Sequence, residues 1–437
     1  MASTYIYRDL GTPTNAYKGT VSHWIKKSII GASETQYGTF AAWLNGGSNT
    51  RSMLNIYNNT IYLYAQSSSG TVMVLQTNRV FRDPNAWYHI VVAWDTTQST
   101  ASNRVKIYVN GVQETSFSTE TYPAQNTVLQ FNTSGRRFGV GTLANGSGNT
   151  YSYWDGLISH FHFIDGTQYA ASDFGSTDST TGEWKINTSP SVTYGNNGFF
   201  WLKDNIATTD NSPNSNTFTV GGGTLTKTED CPDNIFATAN PLTNLNGSAT
   251  YSQGNLKVTG DAAANAVWQT TLGVSSGKWY WELKNLISDS DMSILFYDQS
   301  TISGSHPGYG FVCSTRKKII NGSVTGSAIG SAAQNDIWSV ALDLDNGKMF
   351  IARNGTYLES GNPSTGANPF IQTSDGLPSE GVFGGHAYNG SVELNFGNGY
   401  FGTTAVASAG TNASGIGIFE YDVPTGYTAL STKGLNL

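Results

Sequence analysis

The chain has 437 residues, a formal net charge of -7, and only 12% charged side chains against 38% hydrophobic and 12% aromatic ones. Such a sparse, acidic surface argues against a phosphate-backbone partner, which needs clustered Lys and Arg, and the aromatic content argues against disorder. No stretch reaches the roughly 20 apolar residues of a membrane helix, and Cys231 and Cys313 lack the spacing of a disulfide framework or a zinc site.

The opening MASTYIYRDLGTPT has neither a charged n-region nor an apolar h-region, so no signal peptide is expected. Residues 19 to 30 then alternate, with Val21, His23 and Ile25 on one side and Ser22, Trp24 and Lys26 on the other. Short strands are expected at residues 39–44, 52–57, 61–65 and 71–75, separated by Asn/Gly/Ser turns at the spacing of an all-β domain.

The organising stretch follows at residues 87–113. Trp87, Val91 and Ala93 occupy one face of the first strand, and Tyr88, Ile90, Val92 and Trp94 the other. A strand apolar on both faces must be covered twice. Val105 to Val109 resumes the alternation and stops at Asn110-Gly111, a strong hairpin signal. Residues 338–355, WSVALDLDNGKMFIARNG, repeat this plan: a Trp-led strand, a turn at Asn346-Gly347, a second strand and a closing Asn354-Gly355. Two β-sandwiches in tandem are therefore expected. Between them, residues 221–250 have little periodicity and read as a connector. No helix of ordinary length is indicated, and the run from Asp261 to Ala266 is too short to be more than a turn.

WYHIVVAWD, KIYVNG and WDGLISHFHFIDG, within residues 1–170, resemble a laminin-G-like or concanavalin-like lectin domain of the kind recurrent in phage tail and fibre proteins. The segment after it, through FFWLKD, is similar to the continuation in phage virion proteins and extends this module to residue 230. In the second half, SSGKWYWELKN, DIWSVALDLDNGKMFIARNG, FGNGYF and VPTGYTAL resemble a SPRY domain, taken as residues 231–437. Both resemblances imply concanavalin-like antiparallel sandwiches, which makes the fold class all-β.

Hydrolysis on such a fold needs two carboxylates about 5 to 9 Å apart, and no strand carries a run of acids at the required alternation. Glu282 sits in the structural strand WYWEL, while Glu229, Asp230 and Asp233 read as solvated connector acids, and Asp343 and Asp345 as turn formers. The GVSSG match at Gly273 to Gly277 lacks the helix a nucleophile elbow requires, which leaves Ser275 a turn residue. His160 and His162 share a strand face without further spaced ligands. Some laminin-G-like domains hold calcium at the rim, and Asp95, Asn110 and Asp155 are the oxygen donors available for it; no other cofactor is expected.

Surface binding is what remains. Tyr and Trp supply rigid stacking planes, and Asn and Ser adaptable hydrogen bonds. The first module offers Asn149, Tyr151, Tyr153 and Trp154, and the second Tyr297, Asp298, His306, Tyr309, His386 and Tyr388, in segments that resemble the ligand-facing loops of SPRY domains. The expectation is a non-enzymatic phage structural protein: a homotrimeric tail fibre or other host-facing adhesin, located in the virion and contacting other virion proteins and a host glycan or protein, with no nucleic acid and no membrane insertion. A capsid-decorating or tail-assembly subunit, a polysaccharide depolymerase and a cellular peptide-binding SPRY module are the alternatives.

Overall fold

A computed structural model describes residues 3–28, 36–45, 49–145, 147–203, 208–243, 247–261, 266–286, 291–298, 304 and 306–436. Of the expected features, the end of the first strand at residues 29 and 30 and most of the run from Asp261 to Ala266 lie outside the described residues. The chain divides into two compact units, Met1–Lys227 and Thr228–Leu437. Among the described residues, strand and turn dominate both, and the longest α-helix is the single turn Ala101–Arg104.

In the first unit an eight-stranded antiparallel sheet runs, edge to edge, Phe117–Thr121, Gly70–Val80, Thr60–Ser67, Arg51–Tyr57, Gln36–Trp43, Arg137–Val140, Tyr5–Asp9 and Thr219–Gly222. A six-stranded sheet faces it in the order Phe199–Trp201, Gly156–Asp165, Lys18–Lys27, Trp87–Asp95, Val105–Val109 and Val112–Gln113. Residues alternating inward from both sheets, among them Leu54, Leu63, Ile90, Trp94, Phe138 and Phe161, form the core.

The organising strand is covered on both faces, as its composition requires. Ile90, Val92 and Trp94 enter the intersheet core, whereas Val91 and Ala93 meet a second cluster with Ile164, Phe174, Tyr194 and Phe200. The chain from Asp165 to Phe200 is thus a lid over the outer face of the smaller sheet. Asp165, 2% exposed, pins it: its carboxylate accepts from the backbone N–H groups of Thr14 (2.7 Å), Asn15 (3.2 Å) and Asn197 (3.0 Å) and from Asn132 Nδ2 (2.6 Å).

The second unit repeats the architecture. Lys278–Asn285, Ile337–Asp343 and Lys348–Arg353 lie at the centre of a nine-stranded sheet, and Ala266–Val274, Gly381–Tyr388, Asp291–Tyr297 and Tyr309–Val312 lead the six-stranded one. Trp268, Trp281, Phe296, Trp338 and Phe383 fill the space between.

The expected connector, residues 221–250, spans the break between the two units. From Thr228 onward it is built into the second unit: Phe236, Ala237 and Ala239 are buried, Ala237 N–H donates to Leu430 O at 2.9 Å, and Asp233 pairs with Lys433 at 2.9 Å. Apart from local bonds such as the pair Cys231 and Asn234, its backbone bonds to residues far along the chain, such as Leu430, Asn255 and Gln269, and the segment carries no period-2 pattern. Cys231 and Cys313 are not joined in a disulfide.

Candidate functional site

The outward face of the larger sheet in the first unit carries the most developed site. In Arg51–Tyr57, Ser52, Leu54 and Ile56 point inward, which sends Arg51, Met53, Asn55 and Tyr57 outward. Asn58 and Asn59 both take positive φ, 49° and 62°, the conformation of a type I′ turn. The returning strand Thr60–Ser67 buries Ile61, Leu63 and Ala65 and presents Tyr62 and Tyr64 outward, opposite Asn55 and Met53.

This register builds a continuous aromatic surface. The Tyr62 and Tyr64 rings stack with centroids 6.0 Å apart, and Tyr57 meets Tyr62 edge-on at 5.9 Å. The Arg51 guanidinium lies 5.8 Å from the Tyr64 centroid and donates through Nη1 to Ala144 O at 3.4 Å. Above the sheet sits the small hairpin Leu143–Ala144 with Thr150–Tyr151, whose Leu143 and Ala144 pack on Ala41, Trp43 and Met53. Tyr151, at its end, closes a hollow of about 340 Å³ with Gln36, Arg51, Tyr57, Tyr62 and Tyr64. Burial raises the Tyr62 and Tyr151 hydroxyls above the ordinary phenol range, and the charge of Arg51 partly offsets this. Both of these phenols, Tyr62 and Tyr151, are neutral donors and acceptors at physiological pH. Among the described residues, Arg51 is the one charged side chain lining the hollow.

Beyond the hairpin a second strip lies on the first strand. Tyr5 contacts Tyr7 at 6.2 Å and Tyr153 at 5.9 Å, and Arg137 lies 3.8 Å over the Tyr7 ring while pairing with Asp9 at 3.0 Å. The hairpin therefore divides two tyrosine strips, with Tyr151 joining one and Tyr153 the other.

The remaining expected site residues separate. Trp154 is tucked in, its Nε1–H donating to Leu157 O at 3.2 Å, and Asn149 sits exposed at the hairpin tip, its N–H bonded to Asn145 Oδ1 at 3.0 Å. In the second unit Tyr297 is fully buried among Leu295, Val312, Ile319 and Val382, and its hydroxyl donates to Trp268 O at 3.4 Å; it has no face to offer a ligand. Asp298 follows it, half-buried, and Tyr309 packs half-buried against the core. His386 is buried and meets the His306 ring edge-on at 4.8 Å, with both histidines bonded to Ser293 Oγ. Tyr388 is exposed and pairs in register with Asp291, six residues from Tyr297 along the same strand. That places the two tyrosines about 20 Å apart, so the six residues form no single site.

The calcium candidates do not converge either. Asp95 is opposite Lys18 and Asp155 lies beside Ser28, at the two ends of Lys18–Lys27, about 30 Å apart. Asp95 is already saturated by Thr97, Gln98 and Lys18, whose hydrogen bonds overcome the cost of burial and hold its carboxyl at about 2. Asn110 Oδ1 accepts from the N–H of His89 at 2.8 Å. His160 and His162 both pack against Phe200, and His162 shares a hydrogen bond with the Tyr194 hydroxyl. Among the described residues, no three His, Cys, Asp or Glu side chains gather as a metal site.

The tyrosine hollow was missed from sequence, although IYNNTIYLY carries its signal: inward Ile56, Ile61 and Leu63 across an Asn-Asn turn leave Tyr57, Tyr62 and Tyr64 facing out.

Residues 3–172 match a family described as the concanavalin A-like lectin/glucanases superfamily, laminin G type. No curated protein matches the chain. Among solved structures, the SPRY domain of human HERC1 is 12% identical, with 36% of this chain and 96% of that one covered at a TM-score of 0.30. A heptameric SAP-like pentraxin from Limulus polyphemus is 14% identical, with 51% of this chain and 90% of that one covered at a TM-score of 0.32. The fold class is all-β, with antiparallel sheets packed as a sandwich in each unit and a concanavalin-like lectin module in the first.

Proposed function

We propose that the protein is a non-enzymatic binding protein whose first unit holds an acidic saccharide on its outward tyrosine face. The observation that carries this reading is the hollow of Tyr57, Tyr62, Tyr64 and Tyr151 around Arg51. Sugar rings present apolar C–H faces that stack on aromatic planes, and their hydroxyls pair with phenol and amide groups such as Tyr62 and Gln36. A guanidinium favours a carboxylate or sulfate, which it can bind bidentately. The saccharide expected is therefore one bearing uronate, sialate or sulfate.

The setting proposed is a host-facing phage adhesin, a tail fibre or a related virion component. This rests on the resemblance of WYHIVVAWD, KIYVNG and WDGLISHFHFIDG to domains recurrent in such proteins. Individually weak sites would gain roughly 10² to 10⁴ in avidity from several copies, as in a homotrimeric fibre.

The test is glycan-array and whole-cell binding by the purified chain, with and without EDTA, beside Arg51→Met and Tyr62→Ala. Binding of acidic glycans that both variants lose, without release of reducing ends, is the expected result. Attachment to purified capsids or tails with no glycan or cell binding would replace this reading with an assembly role, and release of reducing ends with a depolymerase.

A further inference from the structure

The second unit holds another hollow, of about 390 Å³, on the outward face of its nine-stranded sheet. Its floor follows from the strand register. Tyr280 and Glu282 point outward on one strand, Ala341 and Ser339 are their partners on the next, and Phe350 and Ala352 follow on the third. The small Ser339 and Ala352 leave the sheet indented between larger neighbours. Tyr280 and Tyr357 stand at the sides, and the chain from Tyr421 to Pro424 crosses the top with Asp422 facing the space. Gly355 takes φ +78° beneath the Tyr421 ring, where a side chain would collide with it.

That crossing segment is fastened by one buried carboxylate. Glu282, fully buried, accepts from the N–H groups of Glu420 and Tyr421, both at 2.9 Å, from the Tyr280 hydroxyl at 3.0 Å and from Asn395 Nδ2 at 3.2 Å. The Tyr280 phenol thereby spends its proton on Glu282 and presents its oxygen to Ser339. Ser339, 1% exposed beside that phenol, has no partner at full hydrogen-bond geometry. No Lys, Arg or His is among the lining residues, while Asp422 lines the hollow and Glu282 lies behind it. The Tyr357 and Tyr421 rings, with Asp422 beside them and no cation among the described lining residues, make a partly desolvated space of negative potential, the environment in which an ammonium group gains most from ring faces.

We propose that this hollow is a second binding site and that it takes the ammonium of a lysine side chain presented by a partner protein. The alkyl stem would lie along Pro363 and Pro424 while the ammonium reaches the Tyr357 and Tyr421 rings above the Ser339 floor. This inference is independent of saccharide binding by the first unit.

The experiment is a ligand-observed NMR titration of the full-length protein with acetyl-Gly-Lys-Gly-amide, its norleucine and glutamate counterparts, and tetramethylammonium. The lysine peptide should bind saturably in the millimolar range, the norleucine peptide about tenfold more weakly and the glutamate peptide not at all. Tyr421→Ala and Ala352→Leu should each weaken lysine binding about tenfold, and Glu282→Gln about threefold, whereas Tyr62→Ala in the first unit should leave it unchanged. Saturable tetramethylammonium binding would support the ring faces as the element that recognises the positive charge. Equal binding of lysine and norleucine peptides, insensitivity to both Tyr421→Ala and Ala352→Leu in folded protein, or no saturation at about 20 mM peptide would overturn the proposal.

Discussion

Each unit has a tyrosine-lined hollow on the outward face of its larger sheet, about 340 Å³ in the first and 390 Å³ in the second. The construction is shared, since strand alternation sends one set of side chains to the core and leaves the other to shape a surface. The charge is opposite. Among the described residues, Arg51 is the only charged one lining the first hollow, and Asp422 the only charged one lining the second. On the two readings proposed above, a single ionic side chain among phenols sets which ligand charge a sandwich face accepts.

The bluntest way to break the comparison is to unfold one partner in it. Trp281→Ala removes a fully buried ring stacked at 5.1 Å on Phe396 and should cost about 3–5 kcal/mol. Hydrogen exchange of the full chain should speed up in peptides from Thr228 onward and lysine binding should fail, with acidic-saccharide binding retained. Loss of protection throughout the first unit as well would mean that the two hollows do not stand on separately stable sandwiches.

Reversing the charge is the next largest test. Arg51→Glu should lower affinity for acidic saccharides roughly 10- to 100-fold, the worth of a charge-assisted pair, and leave neutral ones within about threefold. An equal loss for both classes would show that Arg51 shapes the hollow without selecting charge.

Acidification should move the two units in opposite senses. His23, His89 and His162 are buried; burial pushes His23 and His89 down to about 3 and His162 well below its ordinary range. Their unfolded forms take up protons at higher pH than the folded ones, so the first unit's stability should fall as pH drops through about 6.5 toward 3. Burial instead pushes the Glu282 carboxyl up to about 7 against its four donors. Between about 4.5 and 7 its folded form holds the extra proton, and its contribution to the second unit should rise as pH falls through that window. Pulse proteolysis in urea at pH 5 and 7.5 would read both slopes, and Glu282→Gln should flatten the second. A second unit whose pH dependence is the same with Glu282→Gln would remove that carboxyl from the account.

The smallest effect expected is at Tyr153, which belongs to the strip with Tyr5 and Tyr7. Tyr153→Ala should change acidic-saccharide affinity by less than about twofold, within the range of a surface substitution away from the site. A larger loss would extend the site across the hairpin into one long groove.

Much of this was legible before any coordinates. Apolar residues on both sides of Trp87–Trp94 required two covers, and the core behind Trp94 and the lid over Val91 are those covers. Asn110-Gly111 marked its turn, with φ of 47° and 81°. Tyr151, singled out as a ligand-facing aromatic, lies half-buried at the edge of the first hollow, while Tyr297 and His386 were not recognisable as buried, because a loop-like string of Tyr, Asp, His and Gly says nothing about which sheet lies above it. The segment from Thr228 to Asn240 misled for a related reason: it hydrogen-bonds to Leu430, Asn255 and Gln269, partners that no local pattern announces.

Period-2 alternation and turn chemistry are properties of neighbouring residues, and they alone determined that this chain forms antiparallel sandwiches with Trp-led central strands. Which outward residues remain open, and what charge sits among them, was decided by the tertiary structure. The hairpin that brings Tyr151 beside Arg51, and the segment that Glu282 holds over Ser339, come from parts of the chain 100 residues and 82 residues away in sequence, and only folding sets them side by side.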